Sequence, residues 1–359
     1  MAFEKISLLV IVGEKKLNSS EDKKFVEVGG VKILENILQK AAKENFAEIF
    51  LCAERETVPL QILSWKYEAK ILVGKVKNFE PAALLANGLA KIKTKWALAI
   101  SADMPFFDFE ILKSAENFSR YKAIIPAVNK KIYPLAAFYH KSLAKFFSEE
   151  IQNNQPNIFD AIKKIPHKIL KLSDCEKIFF KIKNRADLRL AQGRVENLSR
   201  KIPVISVVAS TPNPSKTTFI EKLIQKLSEE NISVGVIKGD VNDVNFSAND
   251  SASQNFQNVG AKSVAVVSQN GWFMFQKTES RENFLSVAEK MNGVDLILTD
   301  SRTQYYQPAF SLWFGEDDII RDKNIAAIFL TQPQSSEDIL QFDLNDIDSA
   351  VKLCKFLTS

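Results

Sequence analysis

The stretch VVASTPNPSKTTFIEKL, residues 207–223, decides how the second half of this chain is read. An apolar β-type run ends near Ala209, a turn of serines and prolines follows, and a helical pattern opens around Lys216, Thr217 and Thr218. This is the layout of a phosphate-binding loop, G-x-x-x-x-G-K-[ST], with Ser210 and Ser215 in its glycine slots. Such a loop needs glycines because its N–H groups must converge on phosphate oxygens at a helix start, at backbone angles that side chains resist. Pro212 and Pro214 each remove a further N–H. Taken alone, the motif reads best as a plain strand-to-helix turn carrying a solvated lysine. The strand before it and the helix after it nevertheless stand where a nucleotide site requires them.

Outward from this stretch, β-type runs alternate with amphipathic ones. ISLLVIV, AEIFLCA, AKILVG, WALAIS, KAIIPAV and YPLAAFY read as strands, and KILENILQKAAKEN and PAALLANGLAKI as helices between them. The order predicts an α/β fold with a mainly parallel sheet covered on both faces. The pattern restarts after GRVENLSRK (193–201) with IPVISVVAS, ISVGVIKGD, AKSVAVVS, GWFMFQ, VDLILTDS and IAAIFLT. Two domains are therefore expected, 1–193 and 203–359, joined by a short polar linker at 194–202, and a length of 359 residues agrees with two cores.

Composition narrows the function classes. With 46% hydrophobic and 25% charged residues the chain reads as soluble and globular, and 48 Lys+Arg against 43 Asp+Glu leave a scattered +5 that does not suggest nucleic acid. Cys52, Cys175 and Cys354 have neither disulfide nor zinc spacing, so a reducing compartment is expected. The apolar run Ile6–Val12 is too brief for a membrane span, and the cytoplasm is the expected address, with no membrane partner. His140 and His167 lack metal-ligand company, and no G-x-S-x-G elbow supports a hydrolase. The aromatic run QYYQPAFSLWF (304–314) reads as sheet core plus a loop, with Tyr305, Tyr306 and Trp313 the alternative as a surface facing a partner or a flat ring ligand.

SKTTFIEKLIQKLSEENISVGVIKGD, NDSASQNFQNVGAKSVAVVSQNGWFMF and GVDLILTDS follow one another in an order that resembles the P-loop protein of molybdopterin-guanine dinucleotide biosynthesis, the MobB family. The family's Lys-His-Asp, Lys-Asp-Ser, Ala-Gly-Ala and Glu-Gly positions fall on Lys238-Gly239-Asp240, Asn249-Asp250-Ser251, Val259-Gly260-Ala261 and Asp300-Ser301. The resemblance implies a P-loop NTPase-like α/β domain. It assigns nucleotide binding to Ser215, Lys216, Thr217 and Thr218, with Thr217 also toward Mg²⁺.

In the first half, DKKFVEVGGVKILENILQKA, EPAALLANGL, WALAISADMPFF, YPLAAFY and FFKIKNRADLRLA are similar, in this order, to segments of molybdenum cofactor guanylyltransferase, the MobA family. That resemblance implies a Rossmann-like nucleotidyltransferase sheet and transfer of GMP from GTP to molybdopterin. Asp103, in ADMPFF, falls on the family's acidic residue before Met-Pro-Phe and is implied as catalytic and as the Mg²⁺ ligand. The family's glycine-rich first loop falls on residues 11–23, where Gly13, Asp22 and Lys23 are kept as nucleotide-binding positions and Lys23 is implied as catalytic. Glu14, Asn18, Ser19 and Ser20 replace the second glycine, the arginine, the methionine and the last glycine, and Glu80 and Leu84 replace glycines near the base. A glutamate about 4 Å from a phosphate costs on the order of 4 kcal/mol at an effective dielectric near 20.

Two readings follow. One is a guanylyltransferase fused to its GTP-binding accessory domain, with molybdoenzyme apo-proteins as further partners. The other is a non-catalytic descendant that carries the cofactor or docks a molybdoenzyme.

Overall fold

The computed structural model describes residues 3–13, 25–74, 81–115, 119–153, 157–211, 213–239, 256, 259–267, 269–278, 280–302, 305–315, 318–336 and 338–358. Asp22 and Lys23, like Glu14, Asn18, Ser19, Ser20, Glu80, Pro212, Asp240 and 249–251, lie outside them. The chain divides into two compact units, Met1–Ala191 and Gln192–Ser359.

The first unit is built on strands β1 (Ile6–Val12), β2 (Glu48–Ala53), β3 (Lys70–Val73), β4 (Trp96–Ser101), β5 (Ala123–Val128), β6 (Ala136–His140) and β7 (His167–Leu172), in spatial order β7-β5-β6-β4-β1-β2-β3. All seven residues of β1 are buried, because it lies between parallel neighbours and both its faces are covered. Alternation sorts its side chains: Leu8, Val10 and Val12 enter one core with helix α1 (Ile33–Ala41), while Leu9 and Ile11 enter the other with α3 (Pro81–Lys91), α2 being Val58–Lys66. A Cβ on Gly88 of α3 would stand 2.8 Å from Leu9 Cδ1 and 3.0 Å from Cys52 Sγ, so the missing side chain lets α3 lie directly on β1 and β2. The sheet is mainly parallel as expected. YPLAAFY supplies an antiparallel member, β6 running opposite to β4 and β5, and the short strand Lys131–Ile132 is a second, antiparallel to β5.

After α4 (Leu143–Gln152) and α5 (Ile158–Lys163), helix α6 (Arg185–Leu198) carries the point at which the two units divide. Residues 194–198, expected in a polar linker, complete this helix. Asn197 among them is fully buried, and its Oδ1 accepts from Val204 N at 3.0 Å and Arg200 Nη1 at 2.7 Å.

The second unit has strands β8 (Val204–Val208), β9 (Val234–Lys238), β12 (Leu296–Asp300), β13 (Ala309–Trp313), β14 (Ile325–Leu330) and β15 (Leu340–Asp343), all parallel, in the order β9-β12-β8-β13-β14-β15. Helices α7 (Pro214–Glu229), α8 (Phe284–Lys290) and α9 (Ile347–Thr358) complete it. AKSVAVVS and GWFMFQ do not join this sheet. They form an antiparallel hairpin, β10 (Ser263–Val267) with β11 (Trp272–Gln276), since residues 268–271 are too few for a parallel crossover. Among the described residues no helix is long and apolar enough to cross a membrane.

Candidate functional sites

In each main sheet the strand order reverses beside the first strand, at β1/β4 and at β8/β13. A ligand crevice forms outside the carboxyl ends of parallel strands at such a switch point.

In the first unit Ile11 pairs with Ser101, so Gly13 and Asp103 both stand two residues beyond the paired ends of β1 and β4. The edge is pinned on both sides: Ala102 N donates to Ile11 O at 3.0 Å, and Ile182 N donates to Asp103 O at 3.0 Å. The second bond brings the stretch before α6 to Asp103. Its course is fixed by reciprocal caps, Asp187 N donating to Asn184 Oδ1 (2.9 Å) and Lys183 N to Asp187 Oδ2 (2.8 Å). Lys181 Nζ thereby stands 3.8 Å from Asp103 Oδ1. That oxygen is buried and has no hydrogen-bond partner among the described residues. Burial holds the Lys181 ammonium below the ordinary lysine range, Asp103 pulls the other way, and Lys183 and Lys131 add to the lowering. Tyr133 stacks on Phe179 at 4.2 Å, with Lys131 Nζ 5.4 Å from the Tyr133 ring centroid.

The orphaned carboxylate oxygen fits a hard cation. Among the described residues no group of three His, Cys, Asp or Glu side chains assembles, so Mg²⁺ here would be held by Asp103 and by phosphates of the substrate. Leu84 is not near any such chemistry; it is fully buried in the core on the α3 face.

In the second unit the loop after β8 leads into α7 at the switch point, where a phosphate site is expected. The helix start, however, is satisfied by its own chain. Asn213 caps it, Oδ1 accepting from Ser215 N (2.8 Å) and its carbonyl from Lys216 N (3.0 Å), while Pro214 at the first helical position has no N–H. Lys216 is not the solvated lysine of the plain-turn reading. It is buried, with Nζ 2.6 Å from Asp300 Oδ1 at the end of β12. Ser215, Thr217 and Thr218 are exposed, and Thr218 Oγ1 turns back to Pro214 O at 3.4 Å. Beside them, a Cβ on Gly239 would run into the Phe284 ring and stand 3.1 Å from Ser301 Cβ, so Phe284 fills the place where a side chain at 239 would project.

Residues 15–161 match the family model of the MobA-like NTP transferase domain, and residues 204–317 match that of molybdopterin guanine dinucleotide synthesis protein B, MobB. The chain joins a MobA-like domain to a MobB domain. Similar proteins include the probable molybdenum cofactor guanylyltransferases of Natranaerobius thermophilus, 23% identical over 176 residues (48% of this chain, 83% of the relative), and Trichormus variabilis, 25% identical over 224 residues (59% and 97%). Among solved structures, molybdopterin-guanine dinucleotide biosynthesis protein A from Archaeoglobus fulgidus is 22% identical, with a TM-score of 0.44 over 53% of this chain and 99% of that one. Bacillus subtilis MobB is 19% identical, with a TM-score of 0.33 over 44% and 99%.

Of the sequence candidates, the structure places Gly13 and Asp103 on one edge of the MobA-like domain, and Ser215, Lys216, Thr217 and Thr218 at one helix start of the MobB domain. Two residues of these sites, Lys181 and Asn213, and one pairing, that of Asp300 with Lys216, were missed. Lys181 is a lysine in an otherwise apolar run, FFKI. Asn213 precedes a Pro at a helix start, a capping signal legible in the sequence. Asp300 ends a buried strand, and its lysine partner is 84 positions away in sequence, beyond any local pattern.

The QYYQPAFSLWF run follows its core-plus-loop reading. Phe310 is buried in β13, Tyr306 Oη donates to Asn283 Oδ1 at 2.7 Å, and Tyr305 Oη bonds to the Asp322 carboxylate. His140 Nδ1 meets Ser142 Oγ at 2.8 Å and His167 Nδ1 meets Ile165 O at 2.9 Å, local roles for both.

Proposed function

We propose that this chain works in molybdopterin guanine dinucleotide biosynthesis, its MobA-like domain transferring GMP from GTP to molybdopterin in the cytoplasm. The terminal phosphate oxygen of molybdopterin bonds to the α-phosphorus of GTP, the bond to the β-phosphate oxygen breaks, and pyrophosphate leaves. Asp103 carries this reading: it is the acidic residue at the switch point of the MobA-like sheet, with a buried oxygen that no described group satisfies. Mg²⁺, bound there through Asp103, would neutralise charge on the leaving pyrophosphate. Lys131, Lys181 and Lys183 give the same edge a positive field for a triphosphate. Lys23 and Asp22 belong to this site as proposed nucleotide contacts. The two domains are taken as 1–193 and 203–359, joined at 194–202.

For the MobB domain a specific observation favours the non-catalytic reading: the first-turn N–H groups of α7 are taken by Asn213 and its lysine by Asp300. We assign this half to carrying the cofactor or docking molybdoenzyme apo-proteins, with GTP binding there weak. The test is product formation by the full chain from GTP, molybdopterin and Mg²⁺, read as guanine dinucleotide by mass spectrometry. Asp103→Asn should lower it about 100-fold or more with the melting temperature unchanged. No product from the parent chain overturns the transferase assignment and leaves the carrier reading for the whole protein.

A further inference from the structure

Lys181 stands near Asp103 without being bonded to it. A separation of 3.8 Å is beyond a hydrogen bond, so the ammonium neutralises the carboxylate through charge alone and leaves Oδ1 unsatisfied. The lysine is tethered to the site by its neighbour, since Ile182 N is bonded to Asp103 O. Its side chain keeps 27% exposure and that of Asp103 30%, so both reach the crevice. The charges acting on the ammonium are Asp103, which attracts it, and Lys131 and Lys183, which repel it. A divalent cation approaching Asp103 meets the ammonium at a distance where like charges repel strongly. A triphosphate arriving with that cation offers the ammonium a second anionic partner on the same sheet edge.

We propose that Lys181 changes partner during turnover: it neutralises Asp103 in the resting protein and passes to a phosphate oxygen of the nucleotide when a divalent cation takes Asp103. This rests on the reading of Asp103 as the cation ligand. Two consequences have opposite sign. Lys181 weakens binding of a cation by itself, because the cation must displace it, and strengthens binding of the cation with nucleotide, because the displaced ammonium is then used. The protein accordingly takes up metal and nucleotide together. Lys181 is in this sense a catalytic residue, touching the triphosphate from which pyrophosphate departs. A lysine that merely supported the fold would move both affinities the same way or neither.

The experiment uses the full chain with Mn²⁺ as the probe, followed by water-proton relaxation, and GTP binding in saturating Mn²⁺, followed by calorimetry. Lys181→Met keeps the length and the apolar stem of the side chain. It should bind Mn²⁺ alone at least tenfold more tightly than the parent and GTP with Mn²⁺ at least tenfold more weakly, while Lys181→Arg stays near the parent in both. Affinities that shift in the same direction, or stay within twofold of the parent, overturn the exchange. Asp103→Asn separates the two ideas. If Mn²⁺ binding by the parent and by Lys181→Met survives that change, or is absent from both proteins, the cation reading of Asp103 itself fails. If Asp103→Asn abolishes Mn²⁺ binding but Lys181→Met leaves it unaltered, only the exchange fails. Should Lys181→Met not fold, Lys181→Gln removes the charge while keeping a polar end, and the same opposed shifts are required of it.

Discussion

Changing Asp300 to Asn would leave the Lys216 ammonium buried at the start of α7 with its counter-ion gone. The two charged atoms are 2.6 Å apart, and their side chains are only 9% and 11% exposed. At an effective dielectric near 20 that separation is worth roughly 6 kcal/mol of attraction, set against the cost of drying both groups. Removing one partner of such a pair costs about 3–5 kcal/mol, whereas replacing both by apolar side chains of similar size is close to neutral. We therefore expect about 3 kcal/mol from Asp300→Asn and a similar loss from Lys216→Met. Lys216→Met combined with Asp300→Leu should stay within ~1 kcal/mol of the parent, and so be about 2 kcal/mol more stable than either single variant. Native-state hydrogen exchange reads this in the full chain. Peptides from β8 and β12 should lose protection roughly 150-fold in each single variant and recover it in the double one, with β1 as an internal control. Single variants within fivefold of the parent, or a double variant as weak as the sum of the singles, would refute the view that this lysine is held by its carboxylate and not by solvent.

The loop of the MobB domain gives a second test. Ser210→Gly, Pro212→Ser, Pro214→Ser and Ser215→Gly together should leave GTP binding at the parent level while Asn213 still caps the helix, and adding Asn213→Gly should bring binding into the submillimolar range by calorimetry. Strong binding by the fourfold variant alone would show that the cap is no obstacle. The thiols give a third: burial pushes Cys52 up to about 12, and also raises Cys354 and Cys175, so at pH 8 a disulfide reagent should label less than about a tenth of an equivalent in minutes in the native chain and all three cysteines once it is unfolded. Because the folded Cys52 value lies above the ordinary 9.0, its share of stability is complete below pH 9 and is lost as pH rises toward about 12, which denaturation midpoints between pH 8 and 11 would report.

Strands buried on both faces were legible because they read as unbroken apolar runs: ISLLVIV and WALAIS coincide with β1 and β4. Two of the four edge strands were not. HKILKL forms β7 and LQFD forms β15, but each is only half buried and interrupted by polar residues, so neither stands out from loop. AFSLW was read only as sheet core plus a loop and is the strand β13. At the sites, Asp103 was marked by its flanking Met-Pro-Phe. Lys181 was not, because its approach to Asp103 depends on a bond between residues 103 and 182 that only folding creates. The missing glycines at 210 and 215 point to a poor anion nest, while Asn213 and Asp300 act through contacts that a glycine count does not register.

The Asn213 cap also sets a direction for this lineage. Losing it costs about 1 kcal/mol, as helix caps generally do, and frees only the Ser215 N–H, since Pro214 has no N–H and Lys216 is held by Asp300. Replacing Pro214 alone gives up a preorganised helix start while the cap still occupies the next amide. Either of these first steps thus costs helix stability and returns at most one donor, and more comes only when several changes are made at once. Mutation of Asn213 or Pro214 alone therefore loosens the start of α7 before the first turn is open to a phosphate, so the cap and the buried ion pair hold this turn in place together.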